Sequence, residues 1–167
     1  VPRPRPMEIQ TLSTGENRYL AADFLRKRPG IFNGVELLME IVNLDETVAF
    51  TTKDGSEIRE LLAHRNSSIR QQSLAEARVP PGCLTLAHYH PKTEEIYYLL
   101  RGTGQMRISD EWREVRVGDA IAIPPGEVHQ IRNNGAETLV FLCCCAPGYE
   151  HEDTVICEAE TGETETS

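Results

Sequence analysis

The chain lacks any apolar run approaching the roughly 18 residues of a membrane-spanning helix. Its longest such run, Leu139–Ala146, has the length of a strand. The first residues, Val1-Pro2-Arg3-Pro4-Arg5-Pro6, carry no hydrophobic signal core, which predicts a cytoplasmic protein with no membrane partner. Basic residues are few, 17 Lys and Arg against 26 Asp and Glu, for a formal net charge of −9. Phosphate contacts need clustered cations, so this balance argues against nucleic acid. It equally disfavours an anionic membrane surface. There is no C-x-x-C pair, and the five cysteines are odd in number. Cys143, Cys144 and Cys145 are adjacent in a strand-like run, where neighbours point to opposite faces and do not bridge. Free thiols in a reducing compartment are the simplest reading. At 167 residues the chain is one domain, large enough to bury a core without disulfides.

What the chain does have is rhythm. From Gln71 onward, short β-like runs alternate with Gly and Pro punctuation such as Pro80-Pro81-Gly82, Gly118-Asp119, Pro124-Pro125-Gly126 and Asn133-Asn134-Gly135. Eight strands with a turn signal about every ten residues predict an all-β sandwich or closed barrel. No segment between them is long enough for parallel crossovers. Residues 1–69 read as an N-terminal arm with flanking strands, packing on the barrel or on a partner subunit. Asn17 to Lys27 is a candidate short helix, and Val35 to Val42 a strand or a helical turn. Lys53-Asp54-Gly55-Ser56 is a turn signal. Residues 70–148 form the barrel and 149–167 a C-terminal extension. The acidic, Thr-rich end from Glu158 predicts disorder.

The chemistry sits in four residues. His88 and His90 are two apart on a candidate strand and so share a face. Leu84 and Leu86 share that parity, which makes the face apolar and inward. Two imidazoles closing an apolar stripe are poorly placed unless something binds them. Glu95 opens the next strand, with Tyr97 and Leu99 on its parity, and a short turn brings it back toward the histidines. His129 follows the Pro124-Pro125-Gly126 turn, with Ile131 on its parity. Three imidazoles and a carboxylate suit one borderline divalent ion such as Zn, Mn, Fe or Ni. Such a set leaves coordination positions open for a small molecule. Tyr97 could line the pocket and act on a substrate or simply pack. Cys144 would line it too if Val140 and Leu142 face inward, but the opposite parity is equally apolar.

These residues fall in two fixed patterns. Gly82, five residues, His88, one, His90, four, Glu95, six, Gly102 is the first. Gly118, five, Pro124, one, Gly126, two, His129, three, Asn133 is the second, fifteen residues further on. Together they resemble the two motifs of the cupin superfamily, and in particular its small single-domain bacterial members. The resemblance implies a jelly-roll β-barrel and metal ligation by His88, His90, Glu95 and His129. It leaves two classes of function open. One is a metal-dependent enzyme, a dioxygenase, isomerase or lyase acting on a small organic metabolite. The other is a non-catalytic cupin module that binds a metal and a small molecule. Cupins of this size tend to pair, so a homodimer is expected.

Overall fold

The structure is a computed structural model that describes residues 30–32, 35–37 and 39–157. The candidate helix Asn17 to Lys27 and the tail from Glu158 lie outside the described residues. The chain divides into two units, Val1–Met39 and Glu40–Ser167. In the first, β1 (Gly30–Phe32) pairs antiparallel with β2 (Val35–Leu37), so the start of the ambiguous Val35 to Val42 segment is a strand.

The second unit is built from two antiparallel sheets. Its strands are β3 (Phe50–Thr51), β4 (Glu57–Leu62), β5 (Ser73–Val79), β6 (His88–Tyr89) and β7 (Glu94–Arg101), followed by β8 (Thr103–Ile108) and β9 (Glu111–Arg116). The chain continues through β10 (Ala120–Ile123), β11 (His129–Arg132), β12 (Leu139–Ala146) and β13 (Val155–Ile156). One sheet has the order β10-β7-β12-β5-β4-β3, the other β13-β6-β11-β8-β9. The inner faces of both meet in a single apolar cluster that includes Leu99, Phe141 and Leu139 from one sheet and Met106, Val115 and Ile131 from the other. This is the expected all-β jelly-roll barrel. The strand rhythm after Gln71 undercounts it, because β3, β4 and β13 join the sheets from segments that lack regular turn spacing.

Alternation explains most of the placement. Along β7, Glu95, Tyr97 and Leu99 are buried while Ile96, Tyr98 and Leu100 are exposed. In β12 the inward parity is Leu139, Phe141, Cys143 and Cys145. Cys144 is half-buried on the other face, so the alternative that would have placed it in the cavity fails. The pattern did not decide because both parities are apolar, and Val140 on the outer parity is itself buried. Burying side chains such as Leu99 and Phe141 stabilises the fold by roughly 1.5–3 kcal/mol each.

The segment before the histidines corrects a second expectation. Leu84 and Leu86 are 42 % and 51 % exposed, not inward. Thr85 and His88 are both buried although three residues apart, which a continuous pleat forbids. The chain is irregular between them: Leu84 makes only an isolated bridge to Arg132, and the Leu86 N–H donates to Asp54 O at 2.7 Å. Regular pairing resumes at His88.

Gly82, Gly102, Gly118 and Gly126 adopt φ values of 73°, 83°, 92° and 83°, as their turn positions predict. At Gly126 this matters for the site, because its N–H donates to His90 O at 2.8 Å and ties the turn before β11 to the histidine segment.

Candidate metal centre

Strand register assembles the cluster. His88 on β6 is the Cα partner of His129 on β11. Glu95 enters from the facing sheet at the start of β7, and His90 lies just beyond β6 in the turn that joins them. All four side chains are buried, at 5 % exposure or less. One donor atom from each of His88, His90, Glu95 and His129 lies within 4.8 Å of the other three.

The backbone fixes the imidazoles. His88 Nδ1 meets Leu86 O at 2.9 Å, His90 Nδ1 meets Asp153 O at 3.2 Å, and His129 Nδ1 meets Glu127 O at 3.0 Å. A carbonyl only accepts, so each Nδ1 carries the proton and each neutral ring keeps its lone pair on Nε2. Glu95 Oε2 then lies 3.1 Å from His129 Nε2 and 3.5 Å from His90 Nε2. Glu95 Oε2 and His129 Nε2 are fully buried and have no hydrogen-bond partner. Two lone pairs facing one another at 3.1 Å repel unless positive charge lies between them. The arrangement therefore fits a cation, and three imidazoles with a carboxylate fit a divalent metal ion.

In the ion-free site a proton on one of the rings supplies that positive charge, and the electrostatics show the pull between carboxylate and imidazoles. Burial works against ionised Glu95, but the His129 and His90 rings outweigh it and hold the carboxyl well below its usual range. Burial also disfavours a charged His90, yet Glu95 raises its pKa on balance. His88 is lowered, by burial first and then by His129.

A cavity of about 50 Å³ opens beside His88, His90 and Glu95. Tyr97 lines it, with its ring 6.0 Å from that of His129 and 4.7 Å from that of Phe141. Burial, then the Glu95 charge, pushes the Tyr97 hydroxyl well above its usual pKa. Ile131 and Leu99 belong to the core rather than to the cavity wall. Glu94, His64 and His151 are at the surface.

The motifs did not reveal the rest of the wall. Phe50, Thr52, Asp54, Ser56 and Glu60 reach the cavity from β3, β4 and the turn between them. Asp54 is buried, its Oδ1 accepting from Thr52 Oγ1 at 2.5 Å and from Ser56 Oγ at 2.8 Å. The sequence marked this segment as a turn but carried no signal that it abuts the histidines. Tyr149 and Thr154 line the cavity from the C-terminal side. Asp153 supports the centre twice. Its carbonyl holds His90, and its Oδ2 accepts from the N–H groups of Thr93 and Lys92 at 3.1 and 3.3 Å.

None of the described helices is long and apolar enough to cross a membrane. Comparison with known proteins agrees with the fold. The family model for the cupin domain matches residues 75–145. An uncharacterized protein of Methanocaldococcus jannaschii is 51 % identical over 114 residues, covering 68 % of this chain and 91 % of that one. An oxalate-binding protein of Thermotoga maritima is 31 % identical over 90 residues, 54 % of this chain and 74 % of that protein. The crystal structure of a predicted oxalate decarboxylase from Thermotoga maritima matches with a TM-score of 0.58 at 26 % identity, covering 65 % of this chain and 99 % of that one. With two facing antiparallel sheets, both sequence motifs and a buried His-His-Glu-His cluster, the chain belongs to the cupin superfamily.

Proposed function

We propose that this chain is a metal-dependent enzyme acting on a small organic molecule, with one divalent ion held by His88, His90, Glu95 and His129. The observation that carries the reading is the pair of buried, partnerless acceptors, Glu95 Oε2 and His129 Nε2, inside a cluster whose ring orientations are fixed by backbone carbonyls. When bound, the ion would supply Lewis acidity for isomerase or lyase chemistry, or, as Fe or Mn, a redox-active centre for a dioxygenase.

The cavity constrains the substrate. A water needs roughly 10–15 Å³ of such space, so 50 Å³ suits a ligand of few non-hydrogen atoms. Among the described residues lining it, none is Lys or Arg. A ligand carboxylate would find its counter-charge at the metal centre alone. Tyr97, kept protonated by burial, would donate a hydrogen bond to the substrate rather than act as a base. Asp54 and Tyr149, on the same wall, are further groups within the cavity that an enzyme would use.

A non-catalytic binding module is the second reading. It is favoured by the apolar part of the wall, Phe50, Ile58, Ala77 and Phe141, and by the similarity to a protein named for binding oxalate. The experiment that separates them is reconstitution with Fe, Mn, Ni and Zn, each assayed over a panel of small hydroxy, oxo and dicarboxylic acids. Turnover with one metal supports the enzyme; oxygen consumption with iron alone selects a dioxygenase. Binding by calorimetry without turnover on any metal supports the module. The outward Ile96, Tyr98 and Leu100 leave β7 with an exposed apolar face that a homodimer would cover, and a monomer by light scattering removes that expectation.

A further inference from the structure

Glu95 has two oxygens, and they are employed differently. Oε2 faces His129 and His90, as described. Oε1 lies 3.0 Å from Cys145 Sγ. A carboxylate can only accept, so the thiol donates. The pairing follows from strand register: Cys145 on β12 is the Cα partner of Glu95 on β7, and both point inward. Cys145 is 4 % exposed, and on its other side it is paired with the buried Ser73 of β5. Both side chains sit within the packing of three adjacent strands, β5, β12 and β7.

We propose that Cys145 is a positioning residue for the metal centre: its S–H group holds Glu95 Oε1, so that Oε2 alone is presented to the ion. The inference rests on the metal-centre reading above and concerns how that centre is shaped. A carboxylate can bind a cation through one oxygen or both. Without a donor on Oε1, Glu95 is free to turn about its last side-chain torsion and offer both. Either change alters the ligand field and takes space that a substrate needs. Outer partners of metal ligands act in this way, and their loss typically weakens metal binding 10–100-fold.

The strand supplies its own control, since Cys144 is next in sequence and faces away from the cavity. The test uses the full chain, stripped of metal, with Co(II) as the probe. Affinity is measured by competition with a chelating dye, and geometry by the visible ligand-field bands. Cys145→Ala and the better-filling Cys145→Val are expected to bind Co(II) at least about tenfold more weakly, with shifted bands. Cys145→Ser keeps a donor and is expected to restore affinity to within a few-fold and the bands to near their wild-type positions. Cys144→Ala is expected to match wild type. Should the apolar variants fail to fold, the wild-type protein still answers. The Cys145 S–H stretching band, assigned by its loss in Cys145→Ser, is expected at lower frequency than an unbonded thiol in the metal-free protein.

Folded Cys145→Ala or Cys145→Val with wild-type affinity and superimposable bands would overturn the proposal while leaving the metal centre intact. So would an unshifted S–H band. Wild-type protein that takes up no Co(II) would remove the metal-centre reading itself, and this proposal with it.

Discussion

The two ends of the barrel interior are made by the same strands and have opposite character. At one end β7, β11 and β12 contribute Glu95, His129 and Cys145; further along they contribute Leu99, Ile131 and Leu139. All six are buried to 5 % exposure or less. The apolar end gains free energy from burial and has no polar group to satisfy. The polar end carries two buried acceptors with no partner, an arrangement that costs stability unless a ligand compensates. The difference locates stability and function within one fold: a step of a few residues along a strand changes what the side chain is for.

Five substitutions probe the division between the two ends. Leu99→Ala empties the middle of the apolar end and is expected to cost about 3 kcal/mol in denaturant unfolding. A loss under about 1 kcal/mol would mean that this end is not the stabilising one. His90→Ala is the opposite case. It should weaken divalent-metal binding by on the order of 100-fold or more while the circular-dichroism spectrum of the barrel is retained; unfolding would show that the histidine is structural.

Asn133 tests whether a satisfied polar group behaves like the apolar end. It is fully buried, its Nδ2 donates to Val79 O and Glu137 O at 2.8 Å each, and its Oδ1 accepts from Gly135 N at 3.0 Å. Asn133→Ala strands two carbonyls and an N–H, and is expected to lower stability by about 2 kcal/mol without changing metal affinity. Asp153→Ala removes the carboxylate that clamps the Lys92–Thr93 turn between His90 and Glu95. A roughly tenfold loss of metal affinity is expected with little change in melting temperature. Glu137→Gln, which removes the exposed Arg101–Glu137 ion pair, should shift stability by less than about 0.5 kcal/mol.

What the sequence disclosed follows the same division. His88, His90, Glu95 and His129 were legible because two patterns of fixed spacing put them at defined points of short, punctuated strands. The all-β class was legible from the turn rhythm. The facing of Leu84 and Leu86 was not, since their segment departs from the pleat just before His88, and alternation presumes a continuous strand. Cys145 was hidden because β12 is apolar on both parities. Asp54 and Asp153 were hidden by distance along the chain. Asp153 is 63 residues from His90, and only the folded backbone shows that its carbonyl fixes that ring.

Whether the four residues hold one ion is read by inductively coupled plasma mass spectrometry on wild-type protein and His129→Ala, each offered Fe, Mn, Ni or Zn in turn and then desalted. The expected result is close to one divalent ion per wild-type chain for at least one metal, and little in the variant. Wild-type protein that retains none of the four metals, or a variant that retains as much as wild type, would contradict it.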